Sequence, residues 1–180
     1  IHVRSSFHNK PGTIISEEVK AMEDVVVSGV TLTKDEAKIT ICDVPDKPGV
    51  AAKIFKRLSD YNINIDMIIQ NISRTRRTDI SFTVPKTDLK KTLRVSKKVA
   101  REVGADGVIS DVNIAKISIV GVGMRSHSGI AAKMFGTLAK EKINIEMIST
   151  SEIKISCVVA KKSGEQAVRA LHSAFGLGKK

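Results

Sequence analysis

The sequence predicts an α+β fold that contains one small unit twice, and three observations support this. Residues 49–68 and 129–148 are identical at 11 of 20 positions. Around both copies, short β-branched runs and amphipathic segments follow each other in the same order. The 180 residues are 42% hydrophobic, which is enough for a core, and no apolar run approaches the roughly 18 residues of a membrane span. The chain therefore carries an internal duplication.

Each unit is predicted to run strand, helix, strand, strand, helix. In the first unit these elements are ITICDV (39–44), the helix after Gly49, INIDMIIQNIS (63–73), DISFTV (79–84) and a helix over 87–103. In the second unit they are ISIVGV (117–122), the helix after Gly129, INIEMIST (143–150), KISCVVA (154–160) and a helix over 164–175. Ser163 and Gln166 have the spacing of a capping box at the last helix. This order favours an antiparallel sheet with both helices on one face.

The two copies differ in their last strand. The first copy continues into GVISDV (107–112), whereas the second stops at GLGKK. One unassigned strand, VVVSGVTL (25–32), precedes the first unit. We expect it to complete the sheet of the second unit, so that the first unit, residues 37–111, is nested within the second, residues 25–34 plus 112–180.

A net charge of +11 raises the possibility of nucleic-acid binding. Many of the basic residues share one face of a predicted amphipathic helix, namely Lys86, Lys90, Lys91, Arg94, Lys97, Lys98 and Arg101. The chain has no Trp, one Tyr and five Phe, so it lacks the aromatic platforms that single-strand binders use. Weak non-specific binding is the most that this pattern predicts.

Signals for catalysis or metal binding are weak. The four histidines form no cluster with ligand spacing, and only His127 lies in a loop that a ligand could approach. Gly121 and Gly123 give an incomplete dinucleotide fingerprint, and there is no phosphate-cradling loop. Cys42 and Cys157 lie within apolar runs and are expected to be buried. The sequence thus predicts no catalytic site and no metal site.

The opening residues lack the features of a secretory signal. The chain begins with Ile rather than Met, which suggests that it was cut from something longer, while Met22 offers an internal start for a separately made subunit. Neither cysteine calls for an oxidising compartment. We therefore expect the protein in the cytoplasm.

The loops before the repeated helices are candidate anion sites. VPDKPGVAAKIF (44–55) and VGMRSHSGIAAKMF (122–135) each place a glycine at a helix start. Pro48 suits a first helical position, and Asp46 and Ser126 are good capping residues. One interpretation is a well-capped helix and nothing more. The other is that helix-start amides, unblocked by a glycine side chain, receive a carboxylate.

A second shared feature is Ile-Asn-Ile followed by an acid, at 63–66 and 143–146. The Asn offers a side-chain carbonyl, and the acid could help to hold an ammonium group. The alternative is that the Asn only caps or turns the chain. If the loop of one unit faces the strand of the other, the two features together suit a free amino acid.

At these residues the chain resembles the regulatory region of aspartate kinase, which is built from paired ACT domains. The motifs that carry the resemblance are VRSSF (3–7), DKPGVAAKIF (46–55), NIDMIIQN (64–71), TDISFT (78–83), KISIVGVGM (116–124), INIEMISTSEIKIS (143–156) and ALHSAF (170–175). VRSSF, with GTII (12–15), resembles the junction with the catalytic domain, so residues 1–24 are expected to be that junction.

The resemblance implies two ferredoxin-like ACT domains (βαββαβ) that pair into larger antiparallel sheets across a homodimer. It implies that the chain is the regulatory region or beta subunit of an enzyme that phosphorylates L-aspartate with ATP, the first step to lysine, threonine and methionine. Feedback inhibition by lysine and/or threonine is implied too. No cofactor is expected in this chain, because ATP and Mg belong to the absent catalytic domain or alpha subunit.

The resemblance also implies two effector sites. The first uses Asp46, Lys47, Pro48, Gly49, Val50, Ala51 and Gln70, facing Asn144 and Ile145. The reciprocal site uses Ile130 and Ala131, facing Asn64, Ile65 and Asp66, with Ser151 and Glu152 at the adjoining strand end. Thr78 and Ser81 are candidate modulators. Ser128 stands where the family usually has Pro, which is expected to loosen that helix start.

Two other functions are compatible with the same residues. One is an ACT-type dimerisation module that binds no ligand, and the other is weak nucleic-acid binding through the basic helix. The sequence also leaves open which effector fills which site and whether inhibition needs one amino acid or both.

Overall fold

The computed structural model describes residues 2–7, 11–14, 26–71, 76–125 and 127–178. Within the predicted junction, β1 (His2–Val3) pairs antiparallel with β2 (Thr13–Ile14). Met22, Ser126 and the start of the strand predicted at 25–32 lie outside the described residues.

The first unit is a four-stranded antiparallel sheet with the strand order β5-β6-β4-β7. Its elements are β4 (Glu36–Pro45), α1 (Val50–Asp60), β5 (Ile68–Gln70), β6 (Arg77–Pro85), α2 (Leu89–Val103) and β7 (Gly107–Asp111). The predicted order of elements is confirmed, although β5 covers only Ile68–Gln70 of the strand predicted over 63–73 and does not include 63–67. The short 3₁₀ turn Lys86–Asp88 leads into α2.

The second unit takes its fourth strand from ahead of the first unit. Its elements are β8 (Ile114–Val120), α3 (Ile130–Lys140), β9 (Ile145–Thr150), β10 (Lys154–Ala160) and α4 (Gly164–Ala174). Strand β3 (Gly29–Thr33) pairs with β8, with Leu32 opposite Ile117, and the sheet order is β3-β8-β10-β9. The predicted nesting is therefore confirmed, although β3 begins only at Gly29. The domain boundaries themselves stay a prediction.

Two helices cover one face of each sheet and enclose a separate core. In the first unit Ile54 and Leu58 of α1 and Val99 of α2 pack on the sheet. In the second unit Met134 and Leu171 do the same from α3 and α4. The basic residues Lys90, Arg94, Lys97, Lys98 and Arg101 lie on the exposed face of α2, as the helical spacing predicts. The prediction is wrong for Lys86, which lies in the 3₁₀ turn ahead of α2, and Lys91 is only half-exposed.

Two local expectations are wrong. Ser163 makes no capping hydrogen bond to α4, because the 3₁₀ turn Lys161–Ser163 precedes the helix, and Gln166 Nε2 instead donates to Glu141 at 2.8 Å. Cys157 is buried, and burial raises the pKa of its thiol to about 12. Cys42, however, is only half-buried.

None of the helices in the described ranges has the length and apolar character to cross a membrane.

Gly121 is required where the segment ahead of β3 passes over β8. A Cβ at Gly121 would lie 2.2 Å from the carbonyl oxygen of Val26 and 2.7 Å from the Cα of Val27, both of them backbone atoms. Overpacking of this kind costs about 1–3 kcal/mol. Because the two backbones approach this closely, the segment ahead of β3 can pack beside β8 only if residue 121 is a glycine.

We predict that Gly121→Ala lowers the free energy of unfolding in urea by about 2 kcal/mol. The matched control is Gly136→Ala within α3, where an added Cβ meets no atom within 4 Å. This control should raise the free energy of unfolding by about 0.5–1 kcal/mol, because alanine favours the helix. Equal effects of the two substitutions would contradict the close backbone approach at Gly121.

Candidate ligand-binding site

The repeated helices α1 and α3 begin in the same way. Gly49 and Gly129 are their N-caps, with φ angles of 89° and 86°, a left-handed conformation that glycine adopts without steric cost. A Cβ on either glycine would meet no atom within 4 Å, so conformation rather than crowding requires them. The structure contradicts two expectations here: Asp46 makes no cap hydrogen bond, and Pro48 precedes the cap instead of beginning the helix.

The first turn of each helix presents backbone amides at an open end. The first α-helical hydrogen bonds run from Lys53 N to Gly49 O and from Lys133 N to Gly129 O, both at 2.9 Å. Amides ahead of this bond have no acceptor within the helix, and the helix dipole adds positive potential at the same place. An anion is the ligand that such an end attracts.

At α3 this helix start opens into a cleft of about 540 Å³. Its lining residues are Met124, His127, Gly129, Ile130, Ala131, Thr150, Ser151, Glu152 and Ile155. The cleft therefore brings together four of the predicted site residues, those at 130, 131, 151 and 152. Met124, Thr150 and Ile155 were not predicted, because their positions depend on how β9 and β10 dock beside the helix start.

Ordered contacts fix the walls of this cleft. Ser151 N donates to the carbonyl oxygen of Lys154 at 2.7 Å and closes the turn between β9 and β10. His127 Nδ1 lies 2.8 Å from the carbonyl oxygen of Gly123. Ser128, adjacent to the N-cap, is exposed. The turn thus holds the Ser151 and Glu152 side chains next to the first turn of α3.

The strand residues expected to face the two loops lie elsewhere in this chain. Asn64 and Asn144 are both exposed. Gln70, predicted on the loop side of the first site, is exposed as well. Ile65 packs against the core of the first unit, and Ile145 packs against the core of the second. Among the described residues, the lining of the cleft at α3 comes entirely from the second unit.

The loop of the first unit is shorter than that of the second, because β4 continues to Pro45, whereas β8 ends at Val120 and the 3₁₀ turn Val122–Arg125 follows. Asp46, Lys47, Pro48 and Gly49 are exposed, and Val50 and Ala51 follow as the half-buried first turn of α1. Asp46 N donates to the carbonyl oxygen of Arg76 at 2.9 Å, which ties the loop to the start of β6.

Thr78 and Ser81, the candidate modulators, form hydrogen bonds within the first unit. Thr78 Oγ1 donates to the carbonyl oxygen of Asn71 at 2.6 Å. Ser81 shares a hydrogen bond of 2.8 Å with Thr40 on the neighbouring strand. Their hydroxyls therefore stabilise the sheet.

Reciprocal ion pairs join the two units. Lys116 on β8 donates to Asp66 and Glu36 of the first unit, and Lys38 on β4 donates to Glu146 of the second. Lys38 and Lys116 occupy equivalent places in the duplicated strands, and Asp66 and Glu146 are the acids of the two Ile-Asn-Ile segments. In this chain, then, the ammonium group that Asp66 binds is a lysine side chain.

Lys116 is buried, with only 9% of its surface exposed. Burial lowers the pKa of its ammonium group, but the hydrogen bonds that Lys116 donates to Asp66 and Glu36 outweigh this effect and hold the pKa above its ordinary value. Lys116 is consequently charged at neutral pH. Beside it an apolar cluster of Met67, Ile114, Met147 and Val158, with Ile69 packed against it, seals the contact between the units.

Comparison with known proteins agrees with this architecture. The ACT domain family matches residues 43–99 and 117–175, one match in each unit. An aspartate kinase from Stutzerimonas stutzeri is 53% identical over 178 residues, which are 98% of this chain and 43% of that protein. The chain therefore spans less than half the length of the curated relatives that it matches.

Two solved structures share the fold. The ligand-free regulatory subunit of aspartate kinase from Thermus thermophilus has a TM-score of 0.79 and 43% identity. A structure of aspartokinase alpha and beta subunits has a TM-score of 0.78 and 50% identity. Each comparison covers 83% of this chain and 99% of the other.

The duplicated fold, the paired helix starts and these likenesses define a tandem regulatory module. The chain belongs to the ACT domain family, and it corresponds to the regulatory part of aspartate kinase, a phosphotransferase. Within the described ranges, His, Cys, Asp and Glu side chains form no group of three that could hold a metal ion.

We predict that Lys116→Met lowers the free energy of unfolding by about 3 kcal/mol, because it leaves the buried Glu36 carboxylate without its counter-charge. The control is Lys38→Met, whose pair with Glu146 is about one-fifth exposed on both sides and should cost about 1 kcal/mol. Urea unfolding followed by circular dichroism measures both. A loss for Lys116→Met no larger than that of the control would contradict the buried ion pair.

Proposed function

We propose that this chain is the effector-sensing part of an aspartate kinase and that it mediates feedback inhibition. The effector is an end-product amino acid, lysine and/or threonine. The inhibited reaction is the ATP-dependent phosphorylation of L-aspartate, the first step toward lysine, threonine and methionine. Catalysis, with ATP and Mg, belongs to a catalytic domain or alpha subunit with which this chain assembles.

The cleft at the start of α3 is the observation that supports the proposal most strongly. The amides of the first helical turn suit the carboxylate of a free amino acid. Ser151 and Glu152 supply the acceptor oxygens that its ammonium group needs, and they line the same cleft. Opposite charges at the two ends of one small cleft match a zwitterion.

The cleft volume of about 540 Å³ exceeds that of one amino acid and leaves room for further side chains. We propose that a second copy of the chain supplies them. The exposed Asn64 of one copy then completes the cleft at α3 of the other, and the exposed Asn144 completes the loop at Gly49 in the same way.

Edge strands support such a dimer. β5 and β9 lie at the edges of their sheets, where backbone groups are unpaired within the sheet. Ile68 on β5 is 49% exposed, and its counterpart Ile148 on β9 is 41% exposed. Pairing these edges across two copies covers both side chains and extends each antiparallel sheet.

Inhibition then follows from a shift in population. A ligand that bridges two copies binds the closed pairing more tightly than the open one, and it can shift the equilibrium only by that difference in affinity. Couplings of this kind are typically about 1–3 kcal/mol. The closed pairing holds the catalytic parts in their inactive arrangement.

We predict that threonine or lysine binds the chain with a dissociation constant of about 1 mM or tighter in calorimetry. Glu152→Gln should weaken that binding about tenfold, because a charge-assisted contact to the ammonium group is lost. Glu141→Gln, on the exposed end of α3, is the matched control and should change the affinity less than twofold. If neither amino acid binds the folded chain at millimolar concentration, the sensing function is excluded and a dimerisation module remains.

We also predict that Ile148→Lys shifts the chain from dimer to monomer in analytical ultracentrifugation, because a buried charge on the paired edge is costly. Ile109→Lys on β7, the opposite edge of the first sheet, is the control and should leave the dimer intact; Ile109 is 62% exposed. Dissociation by the control variant alone would show that copies pair through β7 and not through β5 and β9.

A further inference from the structure

A second cleft, of about 630 Å³, lies beside the end of β3 and is lined by residues of the second unit. Lys34 follows β3, Asn113 precedes β8, and Lys161 and Lys162 follow β10; Glu165 on α4 completes the wall. None of these residues lines the cleft at α3. The amino-acid site therefore does not explain this cleft.

The duplication places an equivalent lysine of the first unit, Lys86, next to Lys161 of the cleft wall: Lys86 contacts Lys34, another lining residue. Glu36 lies opposite Pro85, and at the equivalent place Ile114 lies opposite Ala160. Lys86 and Lys161 are therefore the residues that directly follow equivalent strand ends.

The backbones of these two lysines are also held in the same way. Lys86 N donates to the carbonyl oxygen of Asp35 at 2.8 Å, and Lys161 N donates to that of Asn113 at 2.7 Å. Each lysine begins a 3₁₀ turn. The backbones of Lys86 and Lys161 are therefore held by equivalent hydrogen bonds at equivalent strand ends.

The Lys86 side chain reaches the edge of this cleft. Lys86 Nζ donates to the carbonyl oxygen of Lys34 at 2.6 Å, which fixes its position. The pKa of Lys86 is lowered, first by burial and then by the charge of Lys161, while Asp35 opposes the shift. Nearby like charges are unfavourable unless an anion lies between them.

The acid in this cleft is already paired. Glu165 Oε1 accepts a hydrogen bond from Lys34 Nζ at 2.5 Å, and Arg169 lies 3.9 Å from its other oxygen. Its charge is therefore largely balanced by these two partners. The exposed Lys161 and Lys162 then leave the cleft with an excess of positive charge.

We propose that this cleft binds a small phosphate-bearing anion between Lys161 and Lys162. Lys86 lies next to this position, and the side-chain amide of Asn113 is a neutral donor. Lysine is a common phosphate ligand, and a compact oxyanion relieves the repulsion between Lys86 and Lys161. The volume is in the range of small-molecule sites, which favours a small anion over an extended acidic surface.

The test is a ³¹P NMR and calorimetric titration with inorganic phosphate, pyrophosphate and ATP, with ionic strength held constant by sodium chloride. We expect saturable binding of at least one of them. At a tenfold excess over the measured dissociation constant, the thermal midpoint should rise by about 3 °C. Tighter binding of ATP identifies a nucleotide as the source, and equal binding identifies the free phosphate group.

The double variant Lys161→Gln/Lys162→Gln should weaken phosphate binding at least tenfold. The matched control, Lys97→Gln/Lys98→Gln, removes the same charge from the exposed face of α2 and should change it less than twofold. Equal losses in both variants, an equal effect of chloride, or binding of polyglutamate without any binding of phosphate would each overturn the proposal. Calorimetry with threonine and lysine on the same variants should be unchanged, so this site can fail independently of the amino-acid site.

Discussion

The arrangement of the two units depends on one buried ammonium group. Lys116 lies between Glu36 and Asp66 of the other unit, next to an apolar cluster that contains Met67 and Met147. A buried charge is tolerated only while its partners are in place, so this contact permits few relative positions of the units.

The same contact links the architecture to the proposed sensing. Asp66 and Glu146 end the two segments that carry Asn64 and Asn144, so each Asn lies two residues from an inter-unit ion pair. A ligand that draws on an Asn of a second copy therefore acts on a segment fixed to the opposite unit. The duplication produces two such ion pairs, because Lys38 and Lys116 are equivalent positions, and so are Asp66 and Glu146.

The repeat and the period of its strands and helices predicted the fold, including the nesting, because the missing strand of the second unit had only one candidate, now β3. Gly49 and Gly129 were predictable too, because each lies at the start of the repeated helix in its own copy. The capping roles predicted for Asp46 and Ser163 were wrong, because a cap contact depends on how the preceding turn bends. The partners of Asp66 and the Lys86–Lys161 cluster were also missed, because they arise only when two distant segments meet.

A crystal structure of the chain grown with saturating threonine and lysine would show whether the cleft at α3 binds an amino acid between two copies. We expect a ligand carboxylate at the first-turn amides of α3, an ammonium group at Glu152, and Asn64 of a second copy within hydrogen-bond distance. An ordered dimer with this cleft empty, or with the amino acid bound only at another place, would contradict it.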